Sequence, residues 1–209
     1  FISIFLDDFP GTKPNVLFQN TKKAFIGEVI RGIGFVVDKQ KYKELITSDN
    51  RNAQCLRLYI NGQDINNSPD HLASRFVICF ENWPYNEAAK YPDLLSIAEQ
   101  KVKPERLKLP PITSDYIKLR TRWWQFARFG LDMRKAIMPL ERLLIRSRVS
   151  EYHMLAFVPK GMIYSDATVV FAFDDLYNFA LLQSWIHEVW LRRQASTMRT
   201  DIRYTPTDC

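Results

Sequence analysis

LLIRSRV at residues 143–149, HMLAFV at 153–158 and TVVFAF at 168–173 carry most of the information about the fold. Each segment is short, rich in apolar and β-branched residues and bounded by polar or turn-forming residues, which is typical of β-strands. The segment that follows, 174–194, has apolar residues at helical spacing instead and predicts one long helix. Asp174 or Asp175 favours the start of that helix and Arg192-Arg193 its end, because the helix dipole prefers these charges.

Similar patterns on the N-terminal side predict further strands at 24–37, 56–60 and 75–80 and a short helix at 38–47. Helical stretches are predicted at 86–107, 115–129 and 132–140, and Pro110-Pro111 separates the first two. The predicted class is therefore α+β, with mixed, mostly antiparallel strands, a central helical segment and a long C-terminal helix. Residues 1–84, 85–141 and 142–209 are possible lobes of one region spanning 1–209.

Composition narrows the class of protein. A chain of 209 residues with 46% hydrophobic residues can bury a sizeable core, and no apolar stretch reaches the ~20 residues that cross a bilayer. Three widely separated cysteines and three isolated histidines form no disulfide framework and no metal-ligand spacing. We expect a soluble, cytoplasmic protein with no membrane partner, and a chain that starts at Phe1 and ends at Cys209 is expected to be part of a longer one.

The net charge of +6 permits a polyanionic partner without requiring one. Ten of the 13 lysines lie in residues 1–110, whereas 11 of the 16 arginines lie in residues 111–209. The planar guanidinium fork matches guanine edges and phosphates better than an ammonium does. The C-terminal half could therefore read a nucleic acid, or it could be an arginine-rich solvated surface.

No catalytic centre is evident. Asn82-Trp83-Pro84-Tyr85 resembles the Asn-Pro-Pro-Tyr tetrapeptide of amino-methyltransferases, but its second residue is Trp and no glycine-rich methyl-donor turn precedes it. A loop is the better interpretation. The sequence also has no G-x-S-x-G elbow and no cysteine with a histidine at a diagnostic spacing. We expect no catalytic residue, no metal and no cofactor in this stretch.

Four residues are candidates for contacts with the backbone or the bases of a nucleic acid. Arg146 and Arg148 are two apart on a predicted strand and would project to one face, where they could contact DNA or form an ion pair with Glu141 or Glu151. Ser150 and Arg128 are further candidates. Arg128 follows Trp123-Trp124-Gln125-Phe126, which could stack on bases, although adjacent residues on a helix point apart and at least one Trp should be in the core.

A series of blocks resembles the MmeI-like restriction-modification enzymes, single-chain proteins that methylate adenine N6. They are RLYINGQDIN at 57–66, Ser68-Pro69, RFVI at 75–78, EAAKYP at 87–92, VKPER at 102–106, WWQF at 123–126, RVS at 148–150, SWIHEVW at 184–190 and RYTPTD at 203–208. Each block alone is weak, but together they run in the family's order over about residues 15–209.

The resemblance implies a DNA target-recognition region whose partners are double-stranded DNA and the methyltransferase domain of the same polypeptide. In this family the nuclease and methyl-donor motifs precede the recognition region, and neither is present here. S-adenosylmethionine would therefore bind the catalytic domain outside this sequence. The alternative is a protein-interaction or scaffold domain whose basic surface is incidental.

The resemblance also implies base-reading residues. Arg199 and Asp201 match the family's variable pair that tracks the last base pair of the site, and a basic residue followed by an acidic one resembles the guanine-reading combination. Arg203 matches a position that helps to read an interior base, together with a residue near Asp166 or Ala167 on the facing strand. The alternative for Arg199, Asp201 and Arg203 is a solvated, salt-bridged loop.

Overall fold

The structure, a computed structural model, describes residues 18–198 and 201–207, and side chains throughout these ranges except at 197 and 198. It confirms the α+β class with mostly antiparallel strands. The helices described are α1 (Lys39–Ser48), α2 (Gly62–Asn67), α3 (Tyr85–Ala88), α4 (Pro92–Lys101), α5 (Lys103–Leu107), α6 (Ser114–Thr121), α7 (Leu131–Ile137), α8 (Leu176–Gln183) and α9 (Trp185–Gln194). The strands are β1 (Ala24–Ile26), β2 (Val36–Val37), β3 (Leu56–Ile60), β4 (Arg75–Ile78), β5 (Arg142–Ser147), β6 (Val149–Ser150), β7 (Ala156–Pro159), β8 (Ile163–Tyr164), β9 (Thr168–Phe171), β10 (Ser196–Met198) and β11 (Asp201–Arg203).

The strands form three sheets. Sheet 1 has the order β1-β9-β5-β7, sheet 2 the order β2-β4-β3-β8, and sheet 3 the order β10-β11-β6. All pairings within these sheets are antiparallel except that of β3 with β8. β5 occupies the middle of sheet 1, and its residues Leu143, Leu144 and Ile145 are fully buried. The apolar run that predicted this strand is therefore the centre of the core.

Strand pairings cross the boundaries at 84 and 141 that delimit the possible lobes. β1 pairs with β9, and β3 pairs with β8, so both C-terminal strands complete contacts made by the first 84 residues. One of the three buried clusters likewise joins Ile60 and Ile65 to Leu143 and Val170. Sequence-local patterns cannot reveal such pairings because strands distant in the chain become neighbours only in the folded sheet.

The prediction of one long C-terminal helix is wrong in one respect, because the segment forms two helices, α8 and α9. Ser184 has φ −65° and ψ 151°, an extended conformation that separates α8 from α9, and its hydroxyl accepts a hydrogen bond from the backbone N–H of His187 at 3.2 Å. Serine competes for backbone hydrogen bonds in this way and favours helix N-caps. The apolar spacing continues across the break, so periodicity alone did not indicate it.

The central helices pack on sheet 2. Leu94, Leu95 and Ala98 of α4 join a cluster with Phe35, Val77 and Phe80. Buried Arg106 of α5 fastens this layer, because its guanidinium donates to the carbonyls of Ile30, Arg31, Arg122, Trp123 and Gln125 at 2.6–3.4 Å. Burial lowers the pKa of Arg106 to about 10. Within the described residues, no helix has the length and apolar character needed to span a membrane.

Candidate nucleic-acid interface

An open cavity of about 570 Å³ lies where α2, the end of β5, the turn between β8 and β9, and β11 meet. We call it the polar cavity. Its lining is mostly polar or small: Asn61, Gly62, Gln63, Asn66, Ser147, Arg148, Val149, Asp166, Ala167 and Arg203. It therefore brings together Asp166, Ala167 and Arg203, which the sequence analysis singled out from distant segments, with the candidate Arg148.

Backbone hydrogen bonds centred on Arg148 hold these segments together. The N–H of Arg148 donates to the carbonyl of Ala167 at 2.8 Å, and the N–H of Tyr204 donates to the carbonyl of Arg148 at 2.9 Å. Val149 also pairs with Arg203 across β6 and β11. The position of Arg203 relative to Ala167 is thus fixed by main chain and does not depend on flexible side chains.

The turn that carries Asp166 and Ala167 is itself anchored to the N-terminal part of the chain. The N–H of Glu28 donates to the carbonyl of Tyr164 at 2.6 Å, and the N–H of Asp166 donates to the carbonyl of Glu28 at 3.0 Å. Gly27 makes this approach possible, since a Cβ there would lie 2.1 Å from the Ser165 oxygen. A glycine is required at this point because no side chain fits between the two backbones.

A buried ion pair supports the same junction. The carboxylate of Glu28 is inaccessible to solvent and accepts two hydrogen bonds from Arg134, at 2.7 and 2.9 Å. Burial raises the pKa of Glu28, and Arg134 opposes that shift. Arg134 is a quarter exposed and also stacks over Phe129. The bidentate geometry compensates the loss of hydration that isolated buried charges suffer.

Three charged groups of the polar cavity have donors or acceptors to spare. Within the described residues, the side chains of Asp166 and Arg203 make no hydrogen bond, and both are half-buried. The Nη1 of Arg148 makes a long hydrogen bond of 3.4 Å to the backbone oxygen of Asp166. The buried Nε of Arg148 has no hydrogen-bond partner in the described part of the chain. The cavity thus presents two guanidinium groups and one carboxylate with unused hydrogen-bonding capacity.

Arg146 requires a correction, because the structure removes it from the surface. Its side chain is fully buried, with Nε donating to the carbonyl of Ser147 at 3.1 Å and Nη1 bonded to His153 Nδ1 at 3.0 Å. The guanidinium also lies 4.3 Å from the ring centroid of Tyr204. Arg146 and Arg148 do not share one face, because β5 ends at Ser147 and the strand alternation stops there. Arg146 is therefore a packing residue beneath β11.

Glu141 was considered as an ion-pair partner of Arg146 or Arg148. Its carboxylate instead lies 3.6 Å from Lys160 Nζ. The backbone oxygen of Glu151 accepts a long hydrogen bond from Arg192 at 3.5 Å. His153, which supports Arg146, donates a hydrogen bond from Nε2 to the carbonyl of Leu182 at 2.6 Å. A chain of contacts therefore links β5 to the end of α8 below the site.

The remaining candidates lie outside the polar cavity. Asp201 and Ser150 are half-buried in sheet 3, where Ser150 pairs with Ile202, and neither lines the cavity. Arg128 is exposed at a different cavity and donates to the carbonyl of Gly27 at 2.8 Å. Arg199 lies outside the described residues. Ala167 lies in a turn before β9 and not on a strand facing β11, which corrects the expected placement.

α2 also contributes to the site, although no helix was predicted there. The pair Asn61-Gly62 is typical of a turn in sequence, whereas Asn61 caps a helix whose first residues form one wall of the polar cavity. Asn61 Oδ1 accepts from the N–H groups of Gln63 and Asp64, and Asp64 accepts from the N–H of Asn61. The signal was available, since Asn followed three residues later by an acid is a capping pattern.

The first three residues of the tetrapeptide at 82–85 form the expected loop, and the fourth, Tyr85, begins α3. The carbonyl of Trp83 accepts hydrogen bonds from Trp124 Nε1 at 2.9 Å and Gln125 Nε2 at 2.7 Å. Trp123 is 6% exposed and belongs to the core, as expected for at least one of the adjacent tryptophans. Trp83 and Tyr85 also pack near these rings, so the aromatic residues here stabilise the helical layer.

A family model described as "MmeI, target recognition domain" matches residues 15–209. The chain belongs to the MmeI target recognition domain family. The MmeI target recognition domain model covers all segments of the polar cavity, from α2 to β11. No curated protein sequence matches the chain.

Among solved structures, this MmeI-family domain is similar to the type IIL restriction-modification enzyme MmeI in complex with DNA. The TM-score is 0.71 at 19% sequence identity, over 88% of this chain. At that identity the likeness shows a shared fold. The chain spans 24% of the length of that protein.

Proposed function

We propose that this chain recognises a specific double-stranded DNA sequence as part of a restriction-modification enzyme. The observation that carries the proposal is the polar cavity, where Arg148, Asp166 and Arg203 offer unused donors and acceptors from one rigid frame. Membership of a target-recognition family supports it, as does the structural neighbour, MmeI in complex with DNA.

The chemistry of these groups suits base reading. A guanidinium such as that of Arg203 can donate two parallel hydrogen bonds to guanine O6 and N7, and a carboxylate such as that of Asp166 can accept from cytosine N4. Arg203 and Ala167 would read one interior base pair together, because β6 and the backbone of Arg148 fix their separation. Arg199 and Asp201 stay the predicted readers of the terminal base pair.

The parent enzyme, in this proposal, transfers a methyl group from S-adenosylmethionine to adenine N6. That reaction belongs to a methyltransferase domain of the same polypeptide outside this sequence, to which an endonuclease could be fused. Residues of this chain would bind and orient the duplex, while phosphate contacts set the register and base contacts choose the site.

A protein-binding role is the second candidate, and the outer face of α8 and α9 favours it. Seven large apolar side chains there are between 43% and 77% exposed: Leu176, Tyr177, Leu181, Trp185, Ile186, Val189 and Trp190. Contiguous exposed apolar surface commonly marks a protein interface. Such a face is compatible with attachment to a methyltransferase domain, whereas a pure scaffold would need no polar cavity.

The experiment compares Arg203→Ala with Arg51→Ala in the full-length polypeptide that contains this chain. Arg51 is a matched control, since it removes the same charge from an exposed pair with Asp49 away from the cavity. Methylated sites are sequenced, and duplex affinity is measured from about 50 to 200 mM salt. We expect Arg203→Ala to relax one interior position of the site, at a cost of about 1–3 kcal/mol in discrimination.

The control should keep the site unchanged. Binding of the unaltered protein should weaken steeply with salt, because phosphate contacts release counterions. Exchange of Arg199 and Asp201 for an acidic-then-basic pair should change the terminal base in the same sequencing experiment. DNA affinity that ignores salt, together with an unaltered site in Arg203→Ala, would favour the protein-binding role.

A further inference from the structure

The wall of the polar cavity formed by α2 presents three side-chain amides, and only one of them is available to a ligand. Asn61 is occupied by the helix cap, with its Oδ1 accepting at 2.9 and 3.1 Å. Asn66 Nδ2 donates to Ser147 Oγ and to the carbonyl of Val149, both at 3.2 Å. Within the described residues, the carboxamide of Gln63 makes no hydrogen bond, and this side chain is exposed at the cavity.

The support of Gln63 is rigid. A Cβ at the preceding residue, Gly62, would lie 2.8 Å from Ser147 Oγ and 3.1 Å from the carbonyl oxygen of Ala167. The helix start is therefore pressed against the same two segments that carry Arg148 and Ala167. Asn66 fixes the other end of the helix to β5 and β6. A side chain on such a frame is preorganised, which is what base-specific contacts need.

We propose that Gln63 reads an adenine in the major groove, at a base pair adjacent to the one that Arg203 faces. This inference rests on the proposed DNA-recognition function. A primary carboxamide has one donor group and one acceptor at fixed spacing, and it matches the N7 acceptor and N6 donor of adenine. Arg203 and Gln63 line the same cavity from different elements, so they can contact neighbouring base pairs of one duplex.

Neither Asn61 nor Asn66 can replace Gln63 in this role. Turning Asn61 away would leave the first turn of α2 without its cap, and turning Asn66 away would release the contact with Ser147. Loss of such a cap typically destabilises a helix. The side chain of Gln63 makes no such structural hydrogen bond among the described residues. It can therefore turn toward a ligand without breaking a contact that stabilises the fold.

The test uses the full-length polypeptide and sequencing of methylated sites in the host DNA. Gln63→Ala and Gln63→Glu are compared with Asn67→Ala, a matched control because Asn67 is an exposed amide on the same helix but does not line the cavity. Circular dichroism spectra and melting curves of the three variants should match those of the unaltered protein, since Gln63 and Asn67 are both exposed.

We expect Gln63→Ala to relax one adenine position of the site, with discrimination falling about 5- to 150-fold, the ratio that corresponds to a 1–3 kcal/mol base contact. Gln63→Glu should lose at least as much, because a carboxylate cannot donate to adenine N7. Asn67→Ala should leave the site unchanged.

Two outcomes would overturn the assignment. An unaltered site with uniformly weaker binding would make Gln63 a phosphate contact, and relaxation at a position that is not adenine would make it a reader of another base. Either result leaves the proposed function intact if Arg203→Ala still alters the site. If no variant changes the site and duplex binding is insensitive to salt, the proposed function fails as well.

Discussion

Gly27 offers the sharpest test of how the fold positions the site. In Gly27→Ala the new Cβ would lie 2.1 Å from the carbonyl oxygen of Ser165 and 2.4 Å from that of Tyr164. Both neighbours are backbone atoms, so β1 and the turn before β9 must separate. That movement strains three hydrogen bonds: Gly27 N–H to Thr168, Glu28 N–H to Tyr164 and Asp166 N–H to Glu28, at 3.1, 2.6 and 3.0 Å.

The cost can be worked out from these contacts. Overpacking contributes about 1–3 kcal/mol, and three weakened backbone hydrogen bonds contribute about 1 kcal/mol each. The reduced freedom of the unfolded chain offsets about 0.4–1 kcal/mol. We therefore expect Gly27→Ala to lower the free energy of unfolding by about 3–6 kcal/mol, a large share of the ~5–15 kcal/mol typical of a domain.

Urea unfolding followed by tryptophan fluorescence measures this change, with Gly130→Ala as the control. A Cβ at Gly130 would meet the end of the Met133 side chain at 3.3 Å and Glu28 Cγ at 3.5 Å, and the backbone φ there is −74°. The flexible Met133 can move, so we expect less than about 1 kcal/mol. Equal unfolding midpoints for the two variants would refute the argument that Gly27 is there for close backbone approach.

Two further predictions concern the support of the fold. Arg106→Met should lower the free energy of unfolding by about 3–5 kcal/mol in urea titrations, because it leaves buried carbonyls such as that of Gln125 unpaired. Arg51→Ala, which removes an exposed ion pair, should leave the unfolding midpoint nearly unchanged. Burial lowers the pKa of His187 to about 4, so the unfolded chain binds a proton first as the pH falls. Stability should therefore decline between pH 6.5 and 4, by less than about 1.4 kcal/mol per pH unit since the ring is partly exposed, and His187→Gln should flatten this dependence.

The elements that sequence patterns predicted well are those whose bounds are marked by their own residues or by their immediate neighbours. β3 has the predicted bounds, Leu56–Ile60, and α1 begins within one residue of its prediction because Asp38 caps it, accepting from the N–H of Lys41. The strand region predicted at 24–37 is less accurate. The apolar run at 24–37 splits into β1 and β2, which belong to different sheets, and no local signal distinguishes their partners.

The site likewise contains residues that could be predicted from the sequence and residues that could not. The resemblance singled out Asp166, Ala167 and Arg203, and the fold brings these three to one cavity. Charge pattern alone misplaced Arg146, since a guanidinium on a strand can be buried when carbonyls, a histidine and an aromatic ring compensate it. Gln63 could not be found from its own neighbours, because its relation to Arg203 exists only after α2 docks against β5.

These features indicate why a recognition surface would be built in this way. The groups proposed to touch bases stand on short segments, but each segment is fixed from below: α2 by Ser147, the turn at Ala167 by Arg148, and β11 by the packing of Tyr204 over Arg146. The side chains of Arg203, which is half-buried, and Gln63, which is exposed, take part in none of these supports. Specificity could therefore change by single substitutions at these two residues without loss of the fold, whereas changes to the supporting residues should lower stability first. Comparing the stability of Gln63→Ala with that of Gly27→Ala tests this separation directly.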